Sequence, residues 1–490
     1  MALTRREFLT RTGLATAASF LGPSFFRHPF VTQAMAETIG DRYFVLIFLD
    51  GGNDGLNTVA PYDNASGMRD AYNTARSASS AGGINLAPAS LLVPTPLTPA
   101  QALKDANTGA QLGLHPGLTG LKNLFELGKV AVIQGCGYPD YSLSHEVSRL
   151  TWQTGSALNL GTGWLGRHMA LNYGSTDVSA VCIEDAVHTE FKQTATNVLA
   201  ISRLQYFSFP YDDYDDADIA FKRQAFADLS TAAAGQAQPT LHYTGVSGGT
   251  TLTASESYRQ LDGLYTGARQ TWDSGYEDLD NKFAQPHTNY VARDLREVAK
   301  IIYGVSQGQP MGNPAQARFF EISTGGYDTH SNQGGASPTG QHWEILQGVG
   351  DAIEWFYQDL ANMGVANKVC VMVYSEFSRR IAQNDSGTDH GSQGPVFVIG
   401  GSVQGGCYGN HPNIMDPNLY LQDAEGNTQY SQAAGDAFRS TDFRDVYGTI
   451  LKHWINMPVT GPSGINAILP ADGGDPTMWW TLPNFDLGFV

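Results

Sequence analysis

Residues Tyr43–Leu49 read YFVLIFL and run without a break into Asp50–Asn57, DGGNDGLN. Seven apolar residues in a row, with no polar alternation, describe a strand covered on both faces, as in a parallel sheet flanked by helices. The glycines that follow mark a tight turn at the strand's carboxyl end, which is where open α/β sheets bind ligands. An Asp50 carboxylate held there can serve a metal ion, although a turn built from turn-favouring residues explains the same letters. The stretch lacks the Gly-Lys-Ser/Thr of a phosphate loop and the GxGxxG of a dinucleotide site. Similar apolar runs recur at 129–134, 318–322, 368–374 and 395–399. Between two of them, His342 to Met363 repeats apolar residues at helical spacing. The expected fold is α/β, with a mostly parallel sheet and helices on both faces.

Polar clusters border these runs. Strand 318–322 leads to Asp328 and His330, and strand 368–374 leads to Glu376, Arg379 and Arg380. Asp389 and His390 precede strand 395–399. Carboxylates and imidazoles are ligands for divalent metals, and four such clusters at strand ends point to one site. After strand 129–134 comes Ser142-Leu-Ser144-His145, where Ser144 is either a metal-activated nucleophile or a helix N-cap. Gly245-Val-Ser-Gly-Gly249 has the form GxSxG, but no apolar strand enters it as a nucleophile elbow requires.

The chain has 490 residues and a formal charge of −18, which repels nucleic acid and anionic membrane surfaces. Thr4-Arg-Arg-Glu-Phe-Leu9, a mildly apolar stretch and Ala34-Met-Ala36 form a twin-arginine export signal over residues 1–36. The expected location is periplasmic or secreted, with the twin-arginine translocase as the partner during export. No later apolar run approaches the ~18 to 20 residues of a membrane span, and no cysteine stands ready for a lipid anchor. The four cysteines lack CxxC spacing, so a thiolate zinc site is not expected, while one or two disulfides stay open. Residues 37–490 are expected to form one domain with an insertion or cap at about 204–290. That segment holds the acidic, aromatic stretch Tyr211–Asp216 and a Gly/Ser/Thr-rich stretch, Gly245–Ser255.

Several motifs together resemble an exported bacterial family catalogued as domain of unknown function 1501. They are Asp50–Pro61, Ser144-His145 with Trp152–Gly155, Gly326–His330, Ser375–Phe377, Gly387–Gly391, the glycine pairs at 400–406, and Thr441–Asp445. That family is similar to the alkaline phosphatase and sulfatase superfamily. The resemblance implies a doubly wound core with a one- or two-metal site. It would make Asp50 the first-strand metal carboxylate, Ser144 the candidate nucleophile, and Asp328 and His330 ligands of one metal. Glu376 and His390, with Asp389 beside it, would complete the set. The short Asp328-x-His330 spacing and Phe377, in place of a second-metal histidine, depart from the superfamily pattern. They favour a single ion with carboxylate-rich ligands; zinc, calcium, magnesium and manganese all stay open.

Two functions follow as expectations. The first is a metal-dependent hydrolase or transferase of phosphate, sulfate or related esters, with Arg379, Arg380 or Asn53 stabilising the anionic transition state. The alternative is a catalytically reduced envelope protein that binds a polysaccharide or a protein partner.

Overall fold

The computed structural model describes residues 40–490 apart from 77, 79–81, 157–159, 174–177, 194–195, 208–215, 270–290, 309–316, 415–435, 438, 462 and 470–484. The export signal and nearly all of the acidic stretch 211–216 therefore lie outside the described residues.

Alternation decides how the first strand is used. Tyr43, Val45, Ile47 and Leu49 enter one buried cluster, while Phe44, Leu46 and Phe48 enter another. Both faces of the strand are thus core, as an unbroken apolar run requires. The strands among the described residues are β1 (Tyr43–Leu49), β2 (Val59–Pro61), β3 (Leu112–Leu114), β4 (Val130–Gly137), β5 (Val178–Cys182), β6 (Asn197–Ala200) and β7 (Phe319–Thr324). They continue with β8 (Val369–Tyr374), β9 (Ser378–Arg379), β10 (His390–Gly391), β11 (Gly394–Gly400), β12 (Gly406–Tyr408) and β13 (Thr441–Asp442). The central sheet runs β12-β4-β11-β8-β1-β7-β5-β6, with β13 beside β4. Every pairing is parallel except those of β11, which is antiparallel to both β4 and β8.

The helices used below are α1 (Gly55–Thr58), α2 (Met68–Ala75), α3 (Thr119–Glu126), α4 (His145–Thr154) and α5 (Trp164–Asn172). After them come α6 (Asp216–Ala234), α7 (Pro239–Arg269), α8 (Val291–Ser306), α9 (Gln341–Asn362) and α10 (Phe443–Thr449). Leu121 and Leu124 of α3, Leu295 and Ile302 of α8, and Ile345 and Phe356 of α9 pack on the Val45 face. Trp152 of α4, Trp164 and Met169 of α5, and Phe443 and Tyr447 of α10 pack on the Phe44 face. The result is a mixed α/β protein with a large, mostly parallel sheet between helical layers.

The Gly245–Ser255 stretch lies within α7, so the GxSxG pattern is inside a helix and makes no nucleophile elbow, in keeping with the lack of an apolar strand entering it. Its small residues serve packing: a Cβ on Gly245 would collide with the α6 backbone at Ser230 and Ala233–Ala234. Further along α7, Ala254, Tyr258, Leu261 and Tyr265 join the main core. The four cysteines are free thiols, three of them buried, and form no disulfide. Among the described residues, no helix is long and apolar enough to cross a membrane.

Candidate metal centre

The strand order gathers the site. β4, β8, β1 and β7 share one direction, so the segments after their carboxyl ends meet at one edge. The reversed β11 brings its beginning to that same edge, which is why His390, ahead of a strand, joins residues that follow strands.

Asp328, half-exposed, is the centre of the cluster. Its Oδ1 lies 3.0 Å from His330 Nε2, 3.1 Å from His390 Nε2 and 3.7 Å from His145 Nε2. The Nε2 atoms of His330 and His390 are 2.9 Å apart. Each of two rings is tethered through its other nitrogen. His145 Nδ1–H donates to Glu376 Oε1 at 2.8 Å, and His390 Nδ1–H donates to the Leu143 carbonyl at 2.7 Å. A histidine whose Nδ1–H is held by a carboxylate or carbonyl presents its Nε2 lone pair, which is how metal-ligating histidines are oriented. Ligand atoms of His145, Asp328 and His390 lie within 4.8 Å of one another. A four-coordinate ion with bonds of about 2.0–2.1 Å places its donors roughly 3.3 Å apart, inside the range of separations measured around Asp328. The residues fit a divalent ion.

Glu376 is buried behind the ring it holds and also accepts the Gly51 N–H at 3.0 Å. The Glu376 bond, more than any other cause, lifts the His145 pKa above its ordinary value. Burial lowers that of His390 and favours the neutral ring. Burial works against ionisation of Asp328, but the Arg379 and His390 bonds outweigh it and hold the carboxyl below its usual range. Phe377 packs its ring 4.9 Å from His145 and 4.7 Å from His390, flooring the site where a second-metal histidine was the superfamily expectation.

The other expected residues take different places. Asp389 stands behind His330, 3.4 Å from its Nδ1, and accepts from Asn384. Asp50 adjoins the cluster and faces Arg149 at 3.6 Å; burial, then Glu376, raises its pKa. Arg379 is buried beneath the site. Its guanidinium donates to Gly52 O at 2.7 Å, to the carbonyls of Gly51, Tyr327 and Thr388, and to Asp328 Oδ1 at 2.5 Å. It locks the two loops and orients Asp328, which corrects the expectation that it faces a substrate. Asn53 is likewise buried: its Oδ1 accepts from His342 Nε2 and its Nδ2 donates to Thr58 Oγ1. Arg380 pairs with Asp436 at 3.2 Å. Ser144 is the exposed N-cap of α4, and its hydroxyl makes no capping bond.

His145 and Arg149 are the residues that sequence reasoning passed over. Both lie on the first turns of α4, one and five positions after Ser144, so the signal in the sequence is an imidazole next to the candidate serine. The donor set is consequently richer in imidazole than the carboxylate-dominated one expected.

Residues 313–418 match the model of a family described as Protein of unknown function (DUF1501). The matched stretch holds Asp328, His330, Glu376, Phe377, Asp389 and His390, while Asp50, Ser144 and His145 fall before it. No curated protein matches the chain.

Proposed function

We propose that the protein is an exported, metal-dependent hydrolase or transferase acting on phosphate, sulfate or related esters, with an alkaline-phosphatase-like arrangement of its core. The observation that carries this reading is the convergence of two tethered imidazoles on Asp328 Oδ1 in an open site at the sheet edge. His145, Asp328 and His390, joined by His330, would hold the ion, and imidazole-rich ligation suits zinc or manganese better than calcium. When bound, the ion supplies Lewis-acid polarisation of an ester oxygen and lowers the pKa of a hydroxyl or water beside it.

The chain's own residues do the rest. Glu376 and the Leu143 carbonyl fix which nitrogen of each ring is free, and Arg379 keeps Asp328 ionised and aimed. Ser144 offers a hydroxyl on the solvent side, one residue from a ligand. Arg149 is partly exposed and is the cation positioned to take an anionic group of the substrate. Export through the twin-arginine signal would place this chemistry in the periplasm or outside the cell.

The test is metal analysis and ester hydrolysis on the purified full chain. One divalent ion should be lost in both Asp328→Ala and His390→Ala. Turnover of p-nitrophenyl phosphate or sulfate should fall at least about 100-fold in both, and in Ser144→Ala if its hydroxyl is the nucleophile. A parent chain whose metal content matches that of both variants would overturn the reading in favour of an envelope binding protein.

A further inference from the structure

A second group of donors lies on the β5 side of β7, near enough for His188 to act electrostatically on Asp50. Glu321 points from the middle of β7 into the Phe44 face of the sheet and is fully buried. Glu190 is fully buried too. Its Oε1 accepts the Tyr374 hydroxyl at 2.7 Å, and its Oε2 has no hydrogen-bond partner. His188 stands between protein and solvent, one-fifth exposed, with Nδ1 2.7 Å from Glu321 Oε1 and Nε2 2.8 Å from Glu184 Oε2. Donor atoms of His188, Glu190 and Glu321 all lie within 4.8 Å of one another. Two bonds of about 2.1 Å span donors up to roughly 4.2 Å apart, which includes the 2.7 Å between His188 Nδ1 and Glu321 Oε1.

Two buried carboxylates this close repel each other, and among the described residues no Lys or Arg pairs with either. Burial, then the Glu190 charge, pushes the Glu321 carboxyl well above its ordinary value. Burial works against a charge on His188, but its bonds to Glu184 and Glu321 outweigh it and raise its pKa to about 11; that positive charge lies between Glu184 and Glu321, and the Glu190 Oε2 is left without a partner.

We propose that His188, Glu190 and Glu321 bind a divalent cation, one imidazole and two carboxylates giving the donor set of a zinc- or manganese-class ion. Glu184 accepts the Nε2–H of His188, so once the proton between Nδ1 and Glu321 is displaced the Nδ1 lone pair faces inward, in the carboxylate–histidine–metal arrangement. Tyr374 fixes Glu190 in the same way. Two negative ligands neutralise a divalent charge, which removes the repulsion that burial otherwise imposes. Binding displaces the proton that His188 shares with Glu321, so affinity rises with pH. The entry side is that of His188 and Glu184, the two partly exposed members.

The test uses the full-length chain, stripped with a chelator and titrated calorimetrically with Mn2+ and with Zn2+ alone. The parent is expected to bind two ions per chain, His188→Ala one, and His390→Ala one. Glu184→Gln should weaken the His188 site by about 10- to 100-fold while leaving the other unchanged. Because His188 and Glu184 are partly exposed, both variants should fold, and circular dichroism checks this. A parent that binds one ion, lost in His188→Ala and kept in His390→Ala, supports this site and sinks the other. Equal stoichiometry in the parent and a folded His188→Ala would overturn the proposal and leave a shared proton between Glu190 and Glu321.

Discussion

Asp54, four residues beyond Asp50 in the same motif, does a different job. It is fully buried, accepts the Asn57 N–H at the start of α1, and receives both terminal nitrogens of Arg76, at 2.5 and 2.9 Å. Arg76 is equally buried and also donates to Asn57 Oδ1 and to the Ile381 carbonyl. Burial works against the Asp54 charge, but Arg76 outweighs it and keeps the carboxyl below its usual range. Removing one partner of such a pair leaves a charge buried and unpaired, which costs more than the pair itself contributes. Arg76→Met should therefore lose about 3–5 kcal/mol of stability. Adding Asp54→Asn should return part of that loss, and urea denaturation of the single and double variants measures both. The motif thus divides into Asp50 at the site and Asp54 under it, a division that the letters alone, two aspartates among glycines, do not make.

The turns after β1 and β7 depend on each other because the strands are parallel neighbours, so both chains leave the sheet at the same level. Gly51 has φ +123°, and a Cβ there would stand 2.5 Å from the Asp328 backbone nitrogen. Gly51→Ala should push Asp328 out of line and weaken divalent-ion binding about 10-fold, besides a strain of roughly 1–3 kcal/mol. Gly364→Ala is the control, since Gly364 also has positive φ but nothing within 4 Å of its added Cβ. It should show the strain and unaltered metal affinity; equal affinities in the two variants would refute the argument. Elements such as β1, β8 and α9 were legible to within a residue or two because burial on both faces, or on one helical stripe, leaves a period in the letters. The direction of β11 was not, since an apolar run reads the same in either orientation. His145 was missed for a related reason: its ring is set by Glu376, 231 positions away, and no local pattern carries that pairing. The Gly/Ser/Thr-rich stretch of α7 carried no clear period in the letters, because close helix contact and chain flexibility select the same amino acids.

Across the whole molecule, each helical layer traps histidine rings that have no room for a second proton. In the α5 layer, His168 is fully buried; its Nδ1 accepts from Asn172 Nδ2 at 3.1 Å, and burial lowers its pKa to about 3. In the α9 layer, His342 donates Nε2–H to Asn53 Oδ1, leaving Nδ1 without a partner, and burial takes its pKa to about 4. The unfolded chain protonates these rings near pH 6.5, whereas the folded chain refuses the proton until far lower. Each ring's contribution is therefore complete above pH 6.5 and is lost as pH falls toward the folded value, at about 1.4 kcal/mol per pH unit. Other groups titrate in the same range, so the sign is read from a difference. The stability of the parent minus that of His168→Gln should shrink by about 1.4 kcal/mol per unit between pH 6 and pH 4, measured by urea unfolding. His342→Gln should behave alike. Because the two rings lie on opposite faces of the sheet and share no partner, the double variant should show the sum of the two slopes. Differences independent of pH would mean that the folded layers admit the proton, and so that the packing around these rings opens before the molecule unfolds.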